Sequence, residues 1–416
     1  MRSNPERLAW AVLLLSFFAC VCLAIGTPLG IRYYILHAQV PQNVTLEVQQ
    51  GPLRARLSGR GEFVSISETR DDIRERTIVA TDSTLGRLVM RVPRADGPIV
   101  ASVQLYNNTQ VVLSSARSPR YPASRVSHQI TLDLKAGLVR IRVFDEASRP
   151  TVVTVRTPHG VATLPAGNYG IKVNPNQTDV TAYTGQADLS KGEWATRLQP
   201  AAQPEHATMD NERIVGPVLL TSNLIANGDL VSPLEGTWNM YNQVDNPDEP
   251  EGSVQTALIE GIPAAVFTRR GANHAETGTT QTLNADISGL RSLYLHLLLR
   301  VEEQDVPVCG SLGSECPVMV RLEYVDANGV EQEWLQGFYA LPDPNTPGNP
   351  TVCVTCSTRR EHIRVPWNTW YAYLSSNLIP ELSQNGQGPR LIQSIAIYAS
   401  GHTYRAAVAE IELIGQ

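Results

Sequence analysis

The 416 residues carry 34 Lys and Arg against 40 Asp and Glu, for a formal charge of −6, and only 18% are charged. That balance leaves no basic face for a nucleic acid, and the length suffices for two or more domains. Val, Thr, Ile and Tyr recur at alternate positions, 30 Gly and 28 Pro punctuate the chain at short intervals, and no helical period extends past residue 35, so an all-β fold of sandwich or barrel type is predicted.

The first element is an uncharged apolar run over residues 8–25, LAWAVLLLSFFACVCLAI. With the following GTPLGI it covers 8–31, and a membrane-spanning helix needs roughly 20 apolar residues. Residues 1–7 would then be a short cytoplasmic tail. A cleaved signal peptide is the competing reading, but its apolar core is shorter, about 7–15 residues, and ends in a small-residue cleavage site. Here Arg32-Tyr33-Tyr34 follows instead, a combination suited to the membrane interface. Lipidation at Cys20 is a third reading, with Ser16-Phe17-Phe18-Ala19 a poor lipoprotein box before it; otherwise Cys20 and Cys22 read as inert. Arg2 and Arg7 precede the run and Arg32 follows it, so charge bias is weak. The long tail, which lacks a cytoplasmic motif and has four cysteines in its far half, is expected outside. The expectation is a single-pass cell-membrane protein, extracytoplasmic in bulk.

Residues 43–193 form the first predicted domain, with strands at 44–49, 54–57, 77–80, 86–92, 99–105, 110–113, 129–134 and 138–144. Alternation places Val139, Ile141 and Val143 on one face and Arg140 and Arg142 on the other. The arginine face reads as solvated surface. In TVVTVRTPHGVATLPAGNYGIKVNPNQTDVTAYTGQADL (151–189), turns are expected at Pro158–Gly160, at 166–168 and at 174–176. This segment resembles the signature half of a FecR-type domain through Val155, Thr157, Pro158, Gly160, Gly167, Tyr169, Val173, Val180, Gly185 and Ala187. ERTIVATDSTLGRLVMRV (75–92) is similar to the family's upstream piece, with Gly86 at the usual alanine. The resemblance implies an extracytoplasmic β-fold used for protein or glycan contacts. FecR regulators also carry a cytoplasmic helical domain that binds a sigma factor. Seven residues before the helix are too few for one, so that regulatory role is not expected here.

Residues 194–222 are polar, carry prolines and lack alternation, which reads as a linker. The second domain is predicted over 223–416. Its opening, NLIANGDLVSPLEGTW (223–238), resembles the start of a galactose-binding-like jelly roll of the kind found in carbohydrate-binding modules, through Asn223, Leu224, Asn227, Gly228, Asp229 and Trp238. LIQSIAIYASGHTYRAAVAEIELIG (391–415) resembles the closing strand pair, which runs back beside the first strand. Between them, strands are expected at 293–301, 318–325 and 333–339, with a turn at VDANG (325–329). The calcium common in such folds would draw on Asp229 and Glu410; capping a turn is the plainer role for Asp229. Exposed aromatics hold sugars in such modules, which makes Trp238, Trp334, Trp367 and Tyr404 candidate platforms, against the simpler reading that tryptophans in a sandwich are core.

Cys309, Cys316, Cys353 and Cys356 are spaced C-x6-C and C-x2-C in loops. Outside the cytoplasm an even set implies disulfides of undetermined connectivity. A four-thiolate zinc site with His362 as a spare ligand is the rival. No G-x-S-x-G, H-E-x-x-H or P-loop occurs, and no enzyme is expected. The expected function is a membrane-anchored protein whose FecR-like domain presents a jelly roll that binds carbohydrate or another envelope component. A protein-interaction subunit of an envelope assembly, or a transmembrane signalling regulator, are the alternatives.

Overall fold

The computed structural model describes residues 5–59, 61–94, 96–146, 149–201, 203–219, 223–344, 361–383 and 388–415. Helix α1 (Pro5–His37) takes in the apolar run and extends it at both ends. At 1.5 Å per residue it reaches about 50 Å, past the roughly 30 Å of a hydrocarbon core. Trp10, Leu15, Phe17, Leu23 and Leu29 all stand exposed on it. It is long and apolar enough to cross a membrane, as an anchor or as a signal sequence.

Among the described residues, seventeen strands between Gln39 and Leu219 pair into one continuous ladder. The runs expected at 129–134 and 138–144 are a single strand, His128–Val143. Its first half pairs with Gln110–Pro119 and, in parallel, with Thr151–Thr157. Its second half pairs with Ile99–Leu105 and Gly167–Val173. The long strand thus passes from one layer to the other, and the core lies between them, with Val139, Ile141, Tyr169, Ile171 and Val180 buried. The turns expected within 151–189 fall between the strands Thr151–Thr157, Gly160–Leu164, Gly167–Val173 and Gln177–Gly185.

The stretch expected as a linker is part of this body. Trp194–Leu198 pairs with Ala187–Lys191, Glu205–Asp210 with Gln177–Gly185, and Ile214–Leu219 with Glu205–Asp210. Leu198, Ala207 and Met209 are fully buried. These strands offer only one or two apolar side chains each to the core, too few to register as alternation.

The second body is a two-layer sandwich. One layer has six strands, in the order Asn239–Val244, Ala275–Asp286, Pro389–Gly401, Val318–Asp326, Glu331–Tyr339, Ile363–Arg364. The other has five, in the order Ser253–Ile259, Ile262–Arg269, Tyr404–Gly415, Leu293–Gln304, Tyr371–Leu374. The closing pair of strands divides between the layers. In the VDANG turn, the Asp326 carboxylate accepts from the amides of Asn328 and Val330 at 2.8 and 3.0 Å. The opening motif lies against the last strand as expected: Leu224 N donates to Leu413 O at 2.8 Å and Ile411 N to Gly228 O at 2.9 Å. A Cβ on Gly228 would stand 1.9 Å from the Ile411 carbonyl oxygen, so the approach demands glycine.

Cys309 and Cys316 form a disulfide, which removes them from any zinc site. Both nitrogens of His362 are engaged, with Gly337 N and Gly313 O. Cys353 and Cys356 lie outside the described residues. The bridged loop sits on the outer face of the six-stranded layer, where both sulfurs pack with Met319, Leu335, Tyr339 and Tyr398. A disulfide closing so short a loop contributes about 2–3 kcal/mol. The pair C309S/C316S should lower stability by that amount in urea unfolding, relative to the oxidised chain.

Candidate functional site

The two layers of the second body meet different surroundings. The outer face of the five-stranded layer is covered by the first body. The outer face of the six-stranded layer, apart from the end under the disulfide loop, carries a groove of about 540 Å³ lined by Thr282, Asn284, Glu323, Glu331, Gln332, Glu333, Gln393 and Ser394. Register explains the lining. Glu323 stands opposite Glu333 on one side and Ser394 on the other, and Thr282 lies beyond Ser394. Short side chains form the floor and carboxylates and amides the wall. Ser394 donates to Glu323 at 2.6 Å.

Two rows along the strands, Arg321 bridges toward the apolar end. Its guanidinium lies 5.2 Å from the Tyr398 ring centroid and 3.9 Å from the Glu276 carboxylate. Tyr241 donates to Glu276 at 2.5 Å. The Tyr241 and Tyr398 rings flank Gly278, where a Cβ would come within 2.6 Å of both residues. Four residues of strand separate this aromatic row from the Thr282 row, about 13 Å. The face thus runs from aromatic to hydroxyl, amide and carboxylate.

The covered face is a buried ionic joint. Arg140 donates through both terminal nitrogens to Glu412, each at 2.8 Å, and its Nε lies 3.1 Å from Glu410. Arg142 donates to Glu410, and Asn168 does so at 2.9 Å. The Arg140 guanidinium also lies 3.8 Å from the Tyr183 ring centroid. The Tyr106 hydroxyl and His296 Nε2 are 2.7 Å apart, and His296 Nδ1 is 3.2 Å from the Glu410 carbonyl oxygen. A proton on Nδ1 satisfies both contacts. Glu260 bridges Arg87 of the first body and Arg300 of the second, 3.1 Å from each. Apolar contact surrounds these charges, from Ile262, Leu298, Trp370, Ala407 and Ala409.

The last strand reaches this arrangement through a bulge. Ala406 and Val408 face the sandwich core, as do Ile411 and Leu413, while Ala407 and Ala409 face the joint. Unbroken alternation from Val408 would turn Glu410 and Glu412 into the core. The register shift opposite Leu297, with Glu410 at φ 49°, turns both outward.

Several expected site residues lie elsewhere in function. Arg140 and Arg142 are on the outward face, as alternation predicts, but Arg140 is buried and Arg142 half-buried under the second body rather than solvated. Glu410 serves these arginines and Asn168, not a shared site with Asp229, which is exposed and accepts from Val231 N at 3.4 Å. Trp238, Trp334 and Tyr404 are 1–2% exposed, so none of them offers a face to a sugar. Their rings fill the sandwich, with the indoles donating to Asn227 O at 3.3 Å and to Glu381 at 3.1 Å respectively. Trp367 is 39% exposed but bridges Val301 in the five-stranded layer, opposite the groove. The groove residues themselves were missed. Their one trace in the sequence is the polar set alternating with Leu322, Tyr324 and Trp334.

No family model matches this chain, and no curated protein matches it. Among solved structures, it is similar to an anti-sigma factor from Parabacteroides distasonis at 19% identity and TM-score 0.23, covering 33% of this chain and 56% of that one. The chain therefore spans little more than half the length of that protein. A family 11 carbohydrate-binding module of the cellulase Lic26A-Cel5E from Clostridium thermocellum is 13% identical, TM-score 0.25, covering 45% of this chain and 94% of the module. The module TmCBM61, solved with β-1,4-galactotriose, is 11% identical, TM-score 0.26, covering 47% of this chain and all of that one. At these scores the likenesses carry no argument about function.

Arg140→Ala leaves two buried carboxylates without their shared cation and is expected to cost about 3–5 kcal/mol in denaturant unfolding. The pair R140M/E412L should recover part of that loss. Burial by itself would raise the Glu410 carboxyl, but Arg140 and Arg142 outweigh it and hold it at about 2, against 4.5 ordinarily. Its contribution is complete above pH 4.5 and is lost as pH falls from there toward 2. Burial, then Arg140, holds His296 below its usual 6.5, so acidification through that value favours proton uptake by the unfolded chain. The melting temperature should therefore fall from pH 7 to pH 4 and below. In calorimetry, E410Q should melt lower at pH 7 and show a shallower fall beneath pH 4.5.

Proposed function

We propose that this chain is a single-pass, membrane-anchored extracytoplasmic protein whose second sandwich binds a glycan along the groove of its six-stranded layer. The observation that carries the reading is the groove itself: open, polar, and on the face the first body leaves free. Sugar hydroxyls both donate and accept, and the carboxylates, amides and hydroxyls of Glu323, Gln332, Gln393 and Thr282 answer both needs. A groove open at the surface admits a chain of sugars, not only a terminal residue. Helix α1 supplies the anchor, since an apolar helix this long with tyrosines at its end suits retention in the bilayer better than cleavage. The strand-and-turn pattern over 151–191 supports a FecR-like fold for the first body, in the role of a scaffold. The ionic joint fits that role, because it holds the groove at a set orientation to the scaffold.

The full chain in lipid nanodiscs, titrated by calorimetry against neutral oligosaccharides first selected on a glycan array, should bind one class saturably. E323A and Q393A, both altered on the surface, should each weaken it at least tenfold. Titrations with calcium and with EDTA decide whether the ion takes part. No binding to any glycan would overturn the reading, and crosslinking in membranes would then seek a protein partner.

A further inference from the structure

The loop over residues 120–127, RYPASRVS, is fastened to the end of α1. The Arg120 guanidinium donates to the Tyr34 hydroxyl at 3.1 Å, and the Tyr34 and Tyr121 rings meet edge-on with centroids 6.0 Å apart. The Ser124 hydroxyl donates to the Leu36 carbonyl at 2.6 Å, and Arg120 N to the Ala38 carbonyl at 2.9 Å. Arg149 braces the loop from behind, donating to the carbonyls of Pro122 and Ser124 at 3.2 and 3.0 Å. The first body is therefore seated on the helix end, not strung from it by a slack tether.

The contacts set the depth of this loop. The uncharged run of α1 ends at Ile31, before Arg32, and the loop touches Tyr34, Leu36 and Ala38, about 4–10 Å farther along the chain. The headgroup layer of a bilayer occupies about 5–8 Å on each side of the hydrocarbon core. The loop and the helix end carry charge of one sign. Arg120 and Arg125 are exposed, Arg32 lies on the adjacent helix, and neither 7–46 nor 118–128 contains an acid. Of the acids on neighbouring segments, Glu75 pairs with Arg117, Glu146 with Arg94 and His128, and Asp145 accepts from Thr151 N at 2.9 Å. Tyrosines favour the interface, and clustered arginines within a Debye length of a bilayer are drawn to anionic lipid.

We propose that residues 120–125, together with Arg32, form a contact surface for anionic phospholipid headgroups, which lays the first β-body on the membrane. This rests on α1 spanning the bilayer. The test places p-benzoylphenylalanine at Ala123 in the full chain. The chain is assembled into nanodiscs of phosphatidylcholine with about one tenth phosphatidylglycerol, and lipid adducts are read by mass spectrometry after irradiation. Phosphatidylglycerol adducts should exceed that lipid's share of the disc at least threefold, and should fall toward its share in 0.5 M salt. R125Q, which leaves the Arg120–Tyr34 bond in place, should halve the enrichment. R120Q/R125Q should abolish it and R120K/R125K retain it. Adducts at the lipid share in every variant, or no lipid adducts from a chain that does enter the discs, would overturn the proposal. A chain that fails to enter the discs would overturn the spanning role of α1 itself.

Discussion

The architecture turns on a buried cluster of charges, Arg140 and Arg142 of the first body against Glu410 and Glu412 of the second. Taking four ions out of water is costly, and a well-packed apolar joint of equal size would be as stable or more so. What ions add is direction. The Arg140 guanidinium is planar, and its paired 2.8 Å bonds to Glu412 are satisfied at one orientation. A purely apolar contact between two flat sheets would tolerate sliding. The joint therefore specifies how one sandwich sits on the other, and by covering the five-stranded layer it decides that the six-stranded layer is the free one.

That choice has consequences along the whole chain. The scaffold is tied to the end of α1 at one end and to the second sandwich at the other. A groove on the free layer is consequently held at a fixed attitude to the helix. The disulfide loop covers the aromatic end of the same face, so apolar side chains such as Tyr398 and Met319 are kept from water while the polar end stays open. The proposed binding groove thus has stiffness behind it and exposure in front.

The residues differ in how much of this they reveal. The alternation around Val139, Ile141 and Val143 identifies the inward face correctly, because period two is a local property of a strand. It says nothing of what the outward face meets, and an arginine under a second domain has the same neighbours in sequence as one in water. Glu410 shows a harder limit. A bulge interrupts the period at that residue, and the pattern that buries Val408 then misassigns everything after it. The tryptophans carry the opposite lesson. Trp334 is core because its strand places it between the layers, and Trp238 because the turn before Asn239–Val244 tucks it there, whatever a ligand might want of an exposed ring. The stretch 194–219 fails for want of signal, since Leu198, Ala207 and Met209 are too sparse to define a face.

What the sequence determined alone follows from local periodicity and composition. The uncharged run of α1, the β class, most strand positions and the turns at 158–160 and 325–329 all rest on residues close together, and the pairing of the opening motif with the last strand was implied by its resemblance to a jelly roll. Tertiary structure decided which faces meet. The joint brings together residues about 270 positions apart, the groove draws on four strands, and the loop at 120–127 meets a helix end some 85 residues earlier. Contacts at such separations depend on the register of every strand between. No single stretch of sequence contains that information.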